Sequence, residues 1–511
     1  MKKAVFFQIA ASAFIAAGLA SYAVGTTVTV DVKKSYQKIS GFGTCSAWCG
    51  TLSTAEGELL WSTTKGAGLS LHRIMIDRDG PGSDEKANAK QATGYGVKVW
   101  GTPWYTKGGV AVSGKGYDTL YEKDYQAWAD VLASSANALK SAGSPLYAVS
   151  SGNESDLGWT KYGPSTLAKW VGQYLGPTMA SKAPDTKVMG IETCNWYGFS
   201  TYYKVFKADA TAWQYSSILA THEYGGSAAA YPDIQAAGKE FWETEIYDTD
   251  TQEDPGMGSA LRIAKIIHEA LTVANMNAWH YWWVKEGGAN NGAIWDKGTG
   301  KPSKRLWIMG NWSRYARPGF VRVDATVAPT SGVTVTAFRD SSLTKVVIVA
   351  INSNTSATSQ DFSISGTSPK KLTPCITDPT RDLVEQSSQT LSSTAFTYSL
   401  PAQSVTTFIV DLAGSSVLPM SSAGAGGSCA FQVSCNESTL KMEFIAPASG
   451  LTSVRLFNLK GNLVKTATFQ TISGTVYSRS FDLSKIPLVC YIVKIVNGGK
   501  TIKTAKIFPT K

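Results

Sequence analysis

Histidine is scarce in this chain of 511 residues: His72, His222, His268 and His280 are the whole stock, too few and too scattered for a histidine-rich metal centre. Seven cysteines are too few to staple a protein of this size, and an odd number leaves at least one unpaired. Cys45 and Cys49 have a spacing that suits a metal, but no histidine or second cysteine pair stands near them in sequence, so no metal is expected. Cys429 and Cys435 are spaced for a local bridge. Beyond the first two dozen residues no apolar run reaches the roughly 20 residues that a membrane span needs. The stretch ISGFGTCSAWCG lacks the Gly-x-Gly-x-x-Gly phosphate loop, which counts against a doubly wound nucleotide-binding sheet. Acidic residues are nearly missing from one region only. Residues 451–511 hold ten Lys/Arg against Asp482, so the net charge of +10 leaves about +1 for everything before and implies no nucleic-acid groove in the main body.

Aromatic residues, by contrast, are plentiful: 16 Trp, 22 Tyr and 18 Phe. So many flat, amphipathic side chains must fill a large core or line a surface that stacks on ligands, of which sugars are one kind. With 43% hydrophobic and 17% charged residues the chain reads as globular, with room for two or three domains.

The opening MKKAVFFQIAASAFIAAGLASYAVG has two lysines, an apolar run and a small-residue site, which predicts a secretory signal peptide over 1–23. Residues 24–40 alternate like a strand. Eight strand patterns follow, at 39–45, 69–77, 97–105, 146–154, 187–193, 218–224, 240–247 and 278–284. Helical segments such as 125–142, 165–181 and 259–275 separate them. That alternation predicts an α/β chain whose residues 41–320 form a (β/α)8 TIM barrel. Over 321–412 short strands with Ser/Thr/Asn turns predict a side β-sandwich, which residues 24–40 join. Residues 413–428 read as a small-residue linker, and 429–511 as a small all-β module with an LKGN hairpin.

Barrel enzymes carry their reactive groups at the C-terminal strand ends. Glu154 closes the fourth strand pattern in LYAVSSGNE, and Glu245 lies in the seventh, FWETEIY. A lone strand-end acid is most often half of a surface salt bridge. Two on strands that face each other across the mouth make a pair suited to glycoside hydrolysis, provided they stand about 5 Å apart.

At this point the sequence resembles glycoside hydrolase family 30, in its xylanase branch. The likeness rests on ISGFGTCSAW (39–48), LSLHRIMID (69–77), TPW (102–104), LYAVSSGNESD (146–156), ATHEYG (220–225), FWETEIY (241–247), RYARPGFVRVDAT (314–326), KVVIVAIN (345–352) and LPAQSVTTFIV (400–410). It implies a metal-free, cofactor-free retaining mechanism with Glu154 as general acid/base and Glu245 as nucleophile. The acid is then expected to stay protonated and the nucleophile ionised. The resemblance further implies Asn153 on the sugar 2-OH, Tyr224 orienting the nucleophile, and Trp48, Trp104 and Trp282 as sugar platforms. Arg73 is placed within reach of the nucleophile, a position that also suits a purely structural buried ion pair.

Two departures bear on substrate. Ser155 replaces the family's usual proline after the strand-four glutamate, which is expected to relax the backbone there. In WWVKEGGANNG, Lys285 and Glu286 stand where glucuronoxylan-specific members have paired arginines, and Gly288 where they have a tyrosine. Lys does not replace a bidentate guanidinium, and Glu repels a carboxylate. The expectation is a secreted or cell-surface endo-β-1,4-xylanase of a Gram-negative bacterium, a monomer acting on xylan without strict need of glucuronic acid side groups. An exo-acting xylobiohydrolase, a β-glucosidase, a β-1,6-glucanase and a non-catalytic polysaccharide-binding barrel are the alternatives. The C-terminal module resembles sorting domains that meet export machinery, and its lack of tryptophan counts against a sugar-binding role.

Overall fold

Short apolar runs without polar alternation favour strands buried on both faces, which parallel barrels require. The computed structural model describes residues 25–106, 110–111, 118–157, 160, 162–250, 252–285, 291–413, 431–435, 439–446, 448–458, 461–473, 475–483 and 491–507. The expected signal peptide over 1–23, the linker from 414 on, Cys429, Glu286 and Gly288 lie outside the described residues.

Eight parallel strands close a barrel in the order Gly41–Cys45, Leu71–Ile76, Lys98–Pro103, Leu146–Ser150, Lys187–Thr193, Ile218–Thr221, Glu240–Glu243 and Ala278–Trp283. These are the eight strands expected from the sequence, several of them shorter at the C-terminal end. The fourth, sixth and seventh stop at Ser150, Thr221 and Glu243, so Glu154, Tyr224 and Glu245 stand on the turns beyond them. The barrel interior is filled by alternating large and small side chains. Trp100 and Trp242 meet edge to face at 5.8 Å and pack among Ala148, Ala220 and Ala278. Helices Tyr125–Ser141 and Met257–Thr272 coat the outside. The segment expected as one helix over 165–181 is helical from Pro164 to Lys182 but passes through a π turn at Val171–Leu175. Pro177 has no N–H to continue an α ladder. Gly172 and Gly176 let the helix press on Thr211 and Tyr215, where a Cβ would come within 2.5 and 2.2 Å.

A ten-stranded sheet lies beside the barrel. The N-terminal strand Val28–Lys38 pairs antiparallel with Val321–Ala325 and parallel with Thr358–Ser365. The sheet curls until its ends meet: Phe362 touches Phe408, five strands away in the sheet order, at 5.0 Å between ring centroids. That contact closes a sandwich core with Val30, Val335, Ile348 and Phe396. The strands described beyond residue 430 form a three-stranded and a four-stranded sheet with a separate core that includes Phe444, Leu456 and Val493.

Candidate active site

Glu154, His222 and Glu245 each present an atom within 4.8 Å of the other two at the C-terminal mouth of the barrel. A cavity of about 630 Å³ opens above them, lined by Trp48, Trp104, Tyr105, Glu154, Tyr224, Glu245, Tyr247, Trp282 and Trp283.

Arg73, fully buried on the second barrel strand, organises the floor. Its Nη1 donates to Glu245 Oε2 at 2.6 Å and its Nη2 to Asn153 Oδ1 at 2.6 Å and Glu192 Oε1 at 2.8 Å, while Nε donates to Thr102 Oγ1 at 3.1 Å. The guanidinium lies 4.4 Å from the ring centroid of Trp104. Both sequence readings of Arg73 therefore hold together: it is a buried ion pair, and its partner is the candidate nucleophile. The Tyr224 hydroxyl donates to the other oxygen of Glu245 at 3.0 Å.

Glu154 stands in the left-handed region at φ 48°, a strained conformation for a residue with a side chain. The expected relaxation at Ser155 is not found. A hydrogen-bond net over-determines the turn: Ser155 N–H donates to Glu192 O at 3.4 Å, Leu157 N–H to Glu154 O at 3.1 Å, and Tyr202 O–H to Ser155 O at 2.9 Å. Proline at position 155 has no N–H for the first of these. Trp48 is held in the same region at φ 59° and remains 45% exposed at the cavity. Trp282 stacks on Trp283 at 4.8 Å and meets Trp48 at 6.3 Å. Trp104 lines the cavity from a buried position, 1% exposed, and packs on Arg73.

Sequence reasoning missed His222 and Glu192. The His222 ring is buried between carboxylates, with Nδ1 3.2 Å from Glu154 and 3.8 Å from Glu245, and Nε2 3.4 Å from Glu192. Burial opposes its charged form, but Glu245, Glu154 and Glu192 outweigh it and push His222 up to about 10. The three-atom spacing would also suit a cation, but here the Arg73 guanidinium and the His222 imidazolium supply the positive charge. Burial opposes ionisation of Glu192 as well, and Arg73 followed by His222 overcomes it and holds that carboxyl low. For Glu154, burial loses to the hydrogen bond and charge of His222, and the carboxyl lies below its usual range. For Glu245, burial prevails over His222 and Arg73, aided by the charge of Glu154, and the carboxyl is raised. This order is the reverse of the one expected from the sequence. Burial is deeper at Glu245, while the His222 hydrogen bond falls on Glu154.

Lys285, two residues past the eighth barrel strand, has its ammonium 2.9 and 3.1 Å from the two oxygens of Glu56. Glu56 is also the capping-box partner of Ser53 at the start of helix Thr54–Trp61.

Residues 319–408 match the glycosyl hydrolase family 30 beta sandwich domain. The chain is 30% identical over 417 residues to glucuronoxylanase XynC of Bacillus subtilis, across 78% of this chain and 95% of that protein. A GH30 endoxylanase from Clostridium papyrosolvens C71 superposes with a TM-score of 0.67 at 32% identity, over 76% of this chain and 100% of that one. A family 30 subfamily 8 xylanase from Clostridium acetobutylicum gives a TM-score of 0.67 at 31% identity, over 75% and 99%. With the sandwich matched, and with 30% identity across 78% of this chain and 95% of the relative, the chain belongs to glycoside hydrolase family 30.

Proposed function

We propose that this chain is an exported, retaining endo-β-1,4-xylanase that does not require glucuronic acid on its substrate. The observation that carries the reading is the close approach of Glu154 and Glu245, within 4.8 Å between carboxylate oxygens. Retaining glycosidases keep their carboxyls about 5–5.5 Å apart, whereas inverting enzymes need about 6.5–9.5 Å to admit a water.

In this reading Glu245 Oε attacks the anomeric carbon and forms the glycosyl ester as the bond to the leaving oxygen breaks. The hydrogen bonds from Arg73 and Tyr224 fix its two oxygens in line for that attack. Glu154 gives its proton to the leaving oxygen, then takes one from the water that hydrolyses the ester. Glu154, Glu192 and Glu245 surround two cations, Arg73 and His222, so one further proton balances the cluster. Turnover requires that proton on Glu154 and an ionised Glu245, whose two oxygens already accept from Arg73 and Tyr224. Asn153 has its carbonyl oxygen engaged by Arg73, which leaves its amide NH2 to donate to a sugar hydroxyl.

Xylan as substrate is supported by the relatives named above as xylanases. Independence of glucuronate is supported by Lys285, whose charge is already matched by Glu56. Mass analysis of products from a methylglucuronate-rich xylan and from an unsubstituted one tests the reading. Comparable ladders of neutral oligosaccharides from both are expected, and Glu245→Gln should lose turnover by orders of magnitude while remaining folded. Cleavage confined to the glucuronate-bearing polymer overturns the independence. Normal turnover in the Gln variant overturns the nucleophile assignment.

A further inference from the structure

The most exposed large apolar side chain among the described residues is not at the edge of a sheet or on an outer helix face. It is Tyr197, at 74%, on the catalytic side of the barrel. Three quarters of its ring meets water, so it contributes little to folding and is free to meet a ligand.

Tyr197 is the second residue of helix Trp196–Ala208, which begins just past the fifth barrel strand. Asn195 caps that helix by accepting from Gly198 N–H at 2.9 Å, which fixes the first turn. Two further hydrogen bonds tie the same junction to the reactive loops. Cys194 N–H donates to Oδ1 of Asp156, two residues beyond Glu154, at 2.8 Å. Trp196 N–H donates to the carbonyl of Gly225, the residue after Tyr224, at 3.0 Å. The ring rests beside a stretch of bare backbone. Its Cε2 lies 4.0 and 3.5 Å from where a Cβ would stand on Gly225 and Gly226. A side chain at Gly226 would also meet Trp196 Cβ at 2.8 Å, and φ there is +87°, so this neighbour stays a glycine for steric reasons.

The strands that carry Glu154 and Tyr197, the fourth and fifth, lie across the barrel from the eighth and first, which bring Trp282 and Trp48. A polymer that ran over both carboxylates from the eighth and first strands toward the fourth and fifth would pass from Trp282 and Trp48 toward Tyr197. The end near Glu154 is the one toward which the leaving group departs, because Glu154 protonates the departing oxygen.

We propose that Tyr197 is the platform of an outer subsite that stacks on a pyranose unit of the leaving-group half of a β-linked polysaccharide. The inference rests on the glycosidase reading of Glu154 and deepens it. The rigid ring offers its face to the C–H bonds of a sugar without losing side-chain freedom on binding.

The test compares kcat/KM for xylohexaose with that for an aryl xylobioside, whose leaving group is one aromatic ring. Tyr197→Ala should lower the ratio of the two by about tenfold, through KM, as expected for the loss of one stacking contact. Tyr197→Phe and Tyr197→Trp should restore it, since the ring and not the hydroxyl does the stacking. An unchanged ratio in the Ala variant, or a Phe variant as impaired as Ala, overturns the platform while leaving the catalytic reading in place. A wild-type chain inactive on both substrates overturns the glycosidase reading and the platform with it.

Discussion

His222 is a buried histidine that carries charge, and His72 and His280 are buried histidines that do not. Burial pulls both of the latter down to about 3, and at His280 it outweighs the opposing Glu243 carbonyl and Glu192 charge. His222 is instead pushed up to about 10 because Glu154, Glu192 and Glu245 surround it. A folded-state value above the ordinary 6.5 stabilises the fold fully below pH 6.5 and loses that contribution as pH climbs through about 10. Thermal melts between pH 6 and 10 should therefore show the wild type losing an increment on the order of a few kcal/mol that His222→Gln does not lose. Parallel profiles for the two proteins would show that the imidazole is neutral in the fold. None of this was legible in the sequence, where four scattered histidines announced only the lack of a metal centre. Glu154 and Glu245 were legible, because each closes an apolar strand run in a chain of eight such runs. Their order of ionisation was not, since it depends on which third group burial brings beside them. The one available clue was Glu192, an acid at the inward end of the otherwise apolar strand KVMGIET.

At the scale of elements, helix Ser83–Gly94 acts as a clamp on the loop that carries Trp48. Thr51 donates to Asp84, Ser46 Oγ donates to Glu85 Oε2 at 2.6 Å, and Asn88 both accepts from Leu52 N–H at 2.8 Å and donates to Gly50 O at 2.9 Å. His72 Nε2 lies 3.0 Å from the same Ser46 hydroxyl, so that hydroxyl bridges a neutral imidazole and a buried acid. Burial, abetted by the charge of Asp84, pushes Glu85 up to about 7. Between pH 4.5 and 7 the unfolded chain releases this proton while the folded one keeps it, so the fold loses stability as pH rises. Glu85→Gln keeps an acceptor for Ser46 and cannot ionise. It should gain on the wild type by on the order of 3 kcal/mol between pH 4.5 and 8 in denaturant melts. A constant gap across that range would mean that Glu85 is not protonated in the fold. Elements themselves were read well where periodicity is strong: the helix expected over 125–142 spans Tyr125–Ser141. The strained turns at Trp48 and Glu154 were not, because a non-glycine residue at positive φ leaves no mark in composition and is sustained by distant hydrogen bonds.

The whole molecule divides by where its cores close. The barrel core draws Phe338, Val347, Val349, Ile351 and Val405 from the outer face of the sandwich, so the two bodies share one buried interface. Asn311 pins it. Its side-chain amide donates to Cys375 O and Val405 O, both at 3.3 Å, and to Thr407 Oγ1 at 2.9 Å, while Trp312 Nε1 donates to Thr336 Oγ1 at 3.1 Å. Val28–Lys38 enters the sandwich before the barrel begins, which makes barrel and sandwich a unit that cannot be cut at either end of the barrel. Among the described residues, the C-terminal strands draw on none before 440 for their buried cluster. A chain of residues 25–413 should accordingly fold and keep its turnover of a soluble substrate within about twofold, because every group named at the mouth of the barrel and every buried partner of those groups remains. A chain ending at residue 320 should be insoluble, since it would bare the helix surface around Asn311 and Trp312 and strand the N-terminal segment without its sheet. Within the intact protein, Asn311→Ala should cost about 2–3 kcal/mol, because it leaves two buried carbonyls with a partner fewer. Melting curves and turnover of the three variants separate these outcomes. A soluble, active chain ending at residue 320 would show that the barrel closes without the sandwich.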